Sequence, residues 1–159
     1  MRSIAASALV ILALILPGIA SSKPNVSLKL TGSVIAKAAD GKVTRAPLAG
    51  AKPGDQIEWN IVAVNAGDTP AMKLATVERV QAGTAYVAGS ARAGHARVEF
   101  SLDGGRTWSS APTVAVKNPD GTTMVKKADP SLYTALRFVA DGALAPKGSE
   151  SYSYEVRIK

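Results

Sequence analysis

The 159-residue chain is 47% hydrophobic and 19% charged, carries a formal net charge of +7, and contains no cysteine and a single histidine. That length matches one ordinary domain, and an average apolar fraction argues for a packed core over disorder. Missing thiols exclude disulfide frameworks, thiolate nucleophiles, zinc fingers and iron–sulfur ligation, and a lone histidine excludes a His-pair metal centre.

At the N-terminus, Met1-Arg2 precedes an apolar run from Ile4 to Leu16 that Pro17-Gly18 interrupts short of a membrane span. Residues 1–20 therefore read as a signal peptide. Small residues in Gly18-Ile19-Ala20 set cleavage after Ala20, with Ser22 as the alternative site. No cysteine follows to carry a lipid anchor. Residues 21–159 form the expected single domain, secreted, periplasmic or on the cell surface, with no stable membrane span after cleavage. Only Arg2 is charged in the leader, so the exported part keeps a net charge of +6. Its cations, among them Lys29, Lys52, Arg79, Arg97 and Lys147, are scattered and not gathered into a stripe between aromatics, so nucleic acid is not the expected partner. An envelope protein or an anionic polysaccharide is the partner class that such charge leaves open.

Beyond the leader the hydrophobic period is two. Val26, Leu28, Leu30, Val34 and Ala36 alternate with Ser27, Lys29, Thr31, Ser33 and Lys37, predicting a first strand with one apolar and one wet face and Gly32 as a candidate bulge. Ile57, Trp59, Ile61 and Ala63 alternate with Gln56, Glu58 and Asn60, while Val62 and Val64 make the later part apolar on both faces, as in a central strand. Further strands are expected over Met72 to Val80, Thr84 to Ala88, Val98 to Leu102, Pro112 to Lys117, Thr122 to Lys126 and Leu136 to Val139. In the closing strand, Tyr152, Tyr154, Val156 and Ile158 share one face. Turn pairs such as Asp40-Gly41, Gly54-Asp55, Gly67-Asp68, Asp120-Gly121, Asp129-Pro130 and Asp141-Gly142 punctuate these runs. The pattern predicts an all-β fold, an immunoglobulin-like antiparallel β-sandwich of about seven to nine strands.

All seven aspartates adjoin a Gly or Pro, where a carboxylate caps a turn by accepting backbone N–H groups. Glu58 and Glu155 lie on the polar sides of alternating strands and read as solvated. His95, in the small-residue stretch Ala93-Gly94-His95-Ala96, reads as an exposed loop histidine, and no Gly-x-Ser-x-Gly elbow supplies a nucleophile. No catalytic, cofactor-binding or metal-ligating residue is predicted. A carbohydrate-binding alternative would stack sugars on Trp59, Tyr86, Trp108, Tyr133, Tyr152 or Tyr154. Strand spacing sends Trp59, Tyr152 and Tyr154 to the core and places Tyr86 within a strand, so Trp108 and Tyr133 would have to form the platform. Ahead of that stands the first alternative, a polymerising or strand-exchanging surface subunit, using the segment Ser21 to Asn25 or a terminal edge strand.

The stretch Ser101-Leu102-Asp103-Gly104-Gly105-Arg106-Thr107-Trp108 resembles the Asp-box hairpin, Ser-x-Asp-x-Gly-x-Thr-Trp, which implies a turn device and not a catalytic one. A wider resemblance runs from Pro53-Gly54-Asp55 through Trp59 and Asn65-Ala66-Gly67-Asp68, then Gly83 to Ser90, Val98 to Gly105, Leu136-Arg137-Phe138 and Leu144 to Gly148. It is similar to the bacterial and archaeal surface repeat family catalogued as domain of unknown function eleven. That resemblance implies a secreted immunoglobulin-like sandwich of cell-surface proteins with no known enzymatic activity. Glu78-Arg79-Val80-Gln81 stands where the family usually has Asp-x-Leu-Pro, and the chain holds one such unit, so a free-standing module is expected in place of an array spacer. The expected function is a non-enzymatic secreted or cell-envelope structural or binding module.

Overall fold

A computed structural model describes residues 23–159, so the predicted signal peptide and both of its cleavage sites fall outside the described residues. The strands are β1 (Val26–Lys37), β2 (Val43–Ala46), β3 (Gln56–Asn65), β4 (Ala75–Arg79), β5 (Thr84–Tyr86), β6 (Arg92–Ala93), β7 (Ala96–Ser101), β8 (Thr113–Lys117), β9 (Thr123–Lys127), β10 (Ala135–Ala140) and β11 (Ser149–Ile158), with one 3-10 turn over Pro130–Leu132. The wide sheet runs β2-β1-β3-β11, with β5 and β6 both on the outer edge of β11. A narrow sheet runs β4-β10-β7, and β8 and β9 form a separate hairpin. The fold is all-β and antiparallel, two sheets packed face to face, as the period of two requires. Eleven strands exceed the seven to nine expected. The additions, β2 with its single large apolar residue Val43 and the two-residue β6, are too short to show a period.

The core lies where the sheets overlap. Ile57, Ile61 and Ala63 of β3 and Tyr152, Tyr154 and Val156 of β11 meet Leu136 and Phe138 of β10. The Phe138 and Tyr152 rings stack across the gap with centroids 4.8 Å apart, an offset arrangement that adds to the apolar area removed from water. Two expectations for β1 fail. Its pairing with β3 runs one for one from Val26 opposite Asn65 to Ile35 opposite Gln56, so Gly32 makes no bulge. Gly32 instead clears room for the Trp59 ring opposite it, since a Cβ there would sit 2.7 Å from that ring. Nor is the apolar face of β1 covered: Leu28 and Leu30 remain 53% and 45% exposed, although Ala63 and Ile61, their partners across the ladder, are 0% and 1% exposed. The narrow sheet has three strands and stops short of this part of β1. Among the described residues no helix is long and apolar enough to cross a membrane.

Candidate functional site

The loop after β7 is the most densely bonded turn. Ser101 Oγ donates to Asp103 Oδ1 at 2.7 Å and accepts the N–H groups of Asp103 and Gly105. Asp103 Oδ1 accepts the Arg106 and Thr107 N–H groups, and Oδ2 accepts the Thr107 hydroxyl at 2.7 Å. These donors, the Thr107 N–H first, hold the Asp103 carboxyl well below the usual carboxylate range. Gly104 and Gly105 take φ of 75° and 95°, which a side chain would strain. The Trp108 ring lies against Gly105 and under the Arg137 guanidinium, 4.7 Å from its centroid. Every oxygen of Asp103 is thus turned inward on its own loop.

Most of the other acids are similarly engaged. Asp40, Asp55, Asp120 and Asp129 each accept a backbone N–H within their turns, and Asp68 pairs with Lys147 at 2.9 Å. Glu58 and Glu155 correct the solvated reading. They face each other across β3 and β11 on the outer face, and each is paired, Glu58 with Arg45 at 2.7 Å and Glu155 with Lys37 at 2.8 Å. The Arg45 hydrogen bond lowers the Glu58 pKa. Two carboxylates opposite each other repel, and the two cations from β1 and β2 offset that repulsion. Glu99 is held below its ordinary value chiefly by its bond to Arg137. Two acids stand apart: Asp141 bonds only through its backbone N–H, to the His95 carbonyl, and not through a capping carboxylate, and Glu78 lies half-buried on the inner face of β4 opposite Leu136, where burial raises its pKa.

Two of the concavities hold residues singled out by the sequence. One, of about 180 Å³, joins His95 and Glu150 to Leu74, Leu144 and Tyr152. The Glu150 carboxylate accepts the His95 N–H at 3.1 Å and lies 3.6 Å from Nδ1. His95 is exposed, as its loop predicts. The Tyr152 hydroxyl is buried without a partner behind this wall. The other, of about 300 Å³, opens between the turn after β5, β7, the end of β9 and the 3-10 turn. Tyr86, Phe100 and Tyr133 line it, with Phe100 and Tyr133 centroids 4.6 Å apart and Tyr86 5.1 Å from Phe100. Lys127 stands at its rim. Tyr133 is therefore buried in an aromatic cluster, and the platform that the carbohydrate-binding alternative would need is not open: Tyr133 is only 5% exposed and Trp108 lies beneath Arg137.

Asn65 entered the sequence reading only as part of a motif, with no role assigned to its side chain. Its Oδ1 accepts the Asn25 and Gly67 N–H groups, and its Nδ2 donates to the carbonyls of Thr69, Leu144 and Ala145. A signal existed: Asn65 sits on the same parity as Ile57, Trp59, Ile61 and Ala63, and a polar residue on an apolar face needs partners. Among the described residues no group of three or more His, Cys, Asp or Glu side chains is arranged to hold a metal ion. No family model, no curated protein and no solved structure matches the chain. The functional reading therefore rests on its own residues.

Proposed function

We propose that the chain is an exported, non-enzymatic module of the cell envelope or the secreted space, structural or binding in its work. The observation that carries this reading is the commitment of its acids: nearly all are engaged in turn caps or ion pairs, none faces a second acid across an open cleft as hydrolytic chemistry requires. The apolar run before Pro17 supports export. The likeness to the surface repeat family, with its Asp-box-like hairpin, belongs to the same proposal. Mass spectrometry of the native protein in fractionated cells tests it. A start at Ser21 or Lys23 in the envelope or medium is expected, and an intact Met1 in the cytoplasm would overturn it.

The uncovered face of β1 favours a second reading, a subunit that associates with copies of itself. Leu28 and Leu30 are uncovered, and the edge of β1 ahead of Val34 is left unpaired because β2 pairs only with Val34 to Lys37, so an added strand would find both an apolar face and unpaired backbone there. Sedimentation over a wide concentration range separates the two: a larger species that Leu30→Ser abolishes supports self-association, and a monomer throughout rejects it.

A further inference from the structure

The cleft between Tyr86, Phe100 and Tyr133 has the size and lining of a small-molecule site. Its volume of about 300 Å³ is at the lower end of ligand pockets, and an apolar cavity of about 150 Å³ already accepts benzene. The three rings pack against one another at 4.6 to 5.7 Å, so the cleft is a slot beside their edges, not between them, and not the open ring face on which a sugar stacks. The Tyr86 hydroxyl accepts the Ala91 N–H at 3.1 Å, which fixes that ring. One cation stands at the cleft. Lys127 lines it, whereas Arg92, opposite Ser153 on the outer face of the wide sheet, gives its guanidinium to the carbonyls of Gly89 and Ala91 at 2.6 and 3.0 Å and lines a separate concavity. The acid beside the cleft, Asp129, gives its Oδ1 to the Ser131 N–H of its own turn.

We infer that this cleft binds a small aromatic anion: a flat apolar body of one or two rings lies against the edges of Tyr86, Phe100 and Tyr133, beside Ala91 and Val98, and a carboxylate or sulfonate faces Lys127. The inference rests on the binding-module reading and gives it a ligand class.

Titration of the isotope-labelled exported chain with 1-naphthoate and with neutral 1-naphthylmethanol, followed by amide chemical shifts, tests it. Saturable shifts confined to Tyr86, Ala91, Phe100, Lys127 and Tyr133 are expected, with naphthoate the tighter ligand. Lys127→Met should weaken naphthoate about five-fold, equivalent to about 1 kcal/mol, and leave naphthylmethanol unchanged, which a merely structural lysine would not do. Ala91→Leu, which fills the slot, should abolish both while its melting temperature shows that it still folds. Shifts centred on Leu28 and Leu30, no saturation, or a Lys127→Met variant that binds naphthoate like the parent would each overturn the ligand class. Those failures leave the export reading standing, because it is decided by the start of the native chain.

Discussion

β1 and β3 are neighbours with the same alternating pattern, yet one buries its apolar face and the other exposes half of it. Leu30 lies directly opposite Ile61, and the two differ from 45% to 1% exposure. The difference is not in the strands but in what lies over them: Leu136 and Phe138 of β10 pack as a roof on the inner residues of β3 and β11, and that cover does not extend to Leu28 and Leu30 of β1. Alternation tells which residues share a face. It does not tell whether a second sheet reaches that face, because cover depends on the width of a layer assembled from distant segments.

The comparison breaks most sharply at the roof itself. Phe138→Ala should cost about 3–5 kcal/mol in a denaturant titration, because a fully buried ring stacked on Tyr152 leaves a cavity that its neighbours fill only in part. A loss near that expected for a surface residue would show that the two sheets do not pack here.

Asn65→Ala, at the covered end of β3, should cost about 2–3 kcal/mol, since it strands buried carbonyls and N–H groups from three segments. Asn65→Asp should not rescue it, because a carboxylate would face the carbonyls of Thr69, Leu144 and Ala145 in place of a donor. Equal stability of the Asp variant and the parent would remove Asn65 from its assigned place.

Gly32→Ala marks the boundary between the two halves of β1. The added methyl meets the Trp59 ring and Leu48, so a cost of about 1–3 kcal/mol is expected together with a shift in Trp59 fluorescence.

Glu78, on the margin of the roof, should show the opposite sign. Its raised pKa means that the folded chain holds the proton longer than the unfolded chain does, so stability is lost as pH rises from the ordinary 4.5 through the folded value. Glu78→Gln should therefore stabilise at neutral pH, by less than about 1 kcal/mol given the solvent contact the group keeps. The gain should vanish below pH 4.5, and a gain that persists in acid would point to packing instead of charge.

The smallest effect is expected on the uncovered face: Leu28→Ser with Leu30→Ser should change monomer stability by no more than about 0.5 kcal/mol. A loss comparable to that of Phe138→Ala would mean that these leucines are covered in solution, by another copy of the chain.

The long strands were legible in the sequence because β3 and β11 repeat every two residues over nearly their whole length, and the aspartate turns because Gly or Pro stands beside each one. The loop from Ser101 to Trp108 could also be read, since its bonds join residues within a few positions of one another. The aromatic cleft could not. Tyr86, Phe100, Lys127 and Tyr133 come from four segments whose meeting is fixed by sheet order, and none carries a local mark of it. Glu58 and Glu155 misled for the same reason, because their cations arrive from β2 and from the far end of β1.

The wide sheet also has a mechanical consequence. β1 and β11 flank β3 and both run antiparallel to it, so they point the same way, and the chain enters β1 at one end of the sheet and leaves β11 at the other. Tension applied through the two ends of the domain therefore runs along the strands, in opposite senses on either side of β3. The hydrogen bonds of both ladders are loaded together in shear and not peeled one rung at a time. A tether at both ends would meet its highest resistance along this axis, whereas a pull on the β8–β9 hairpin would open that pair from its end.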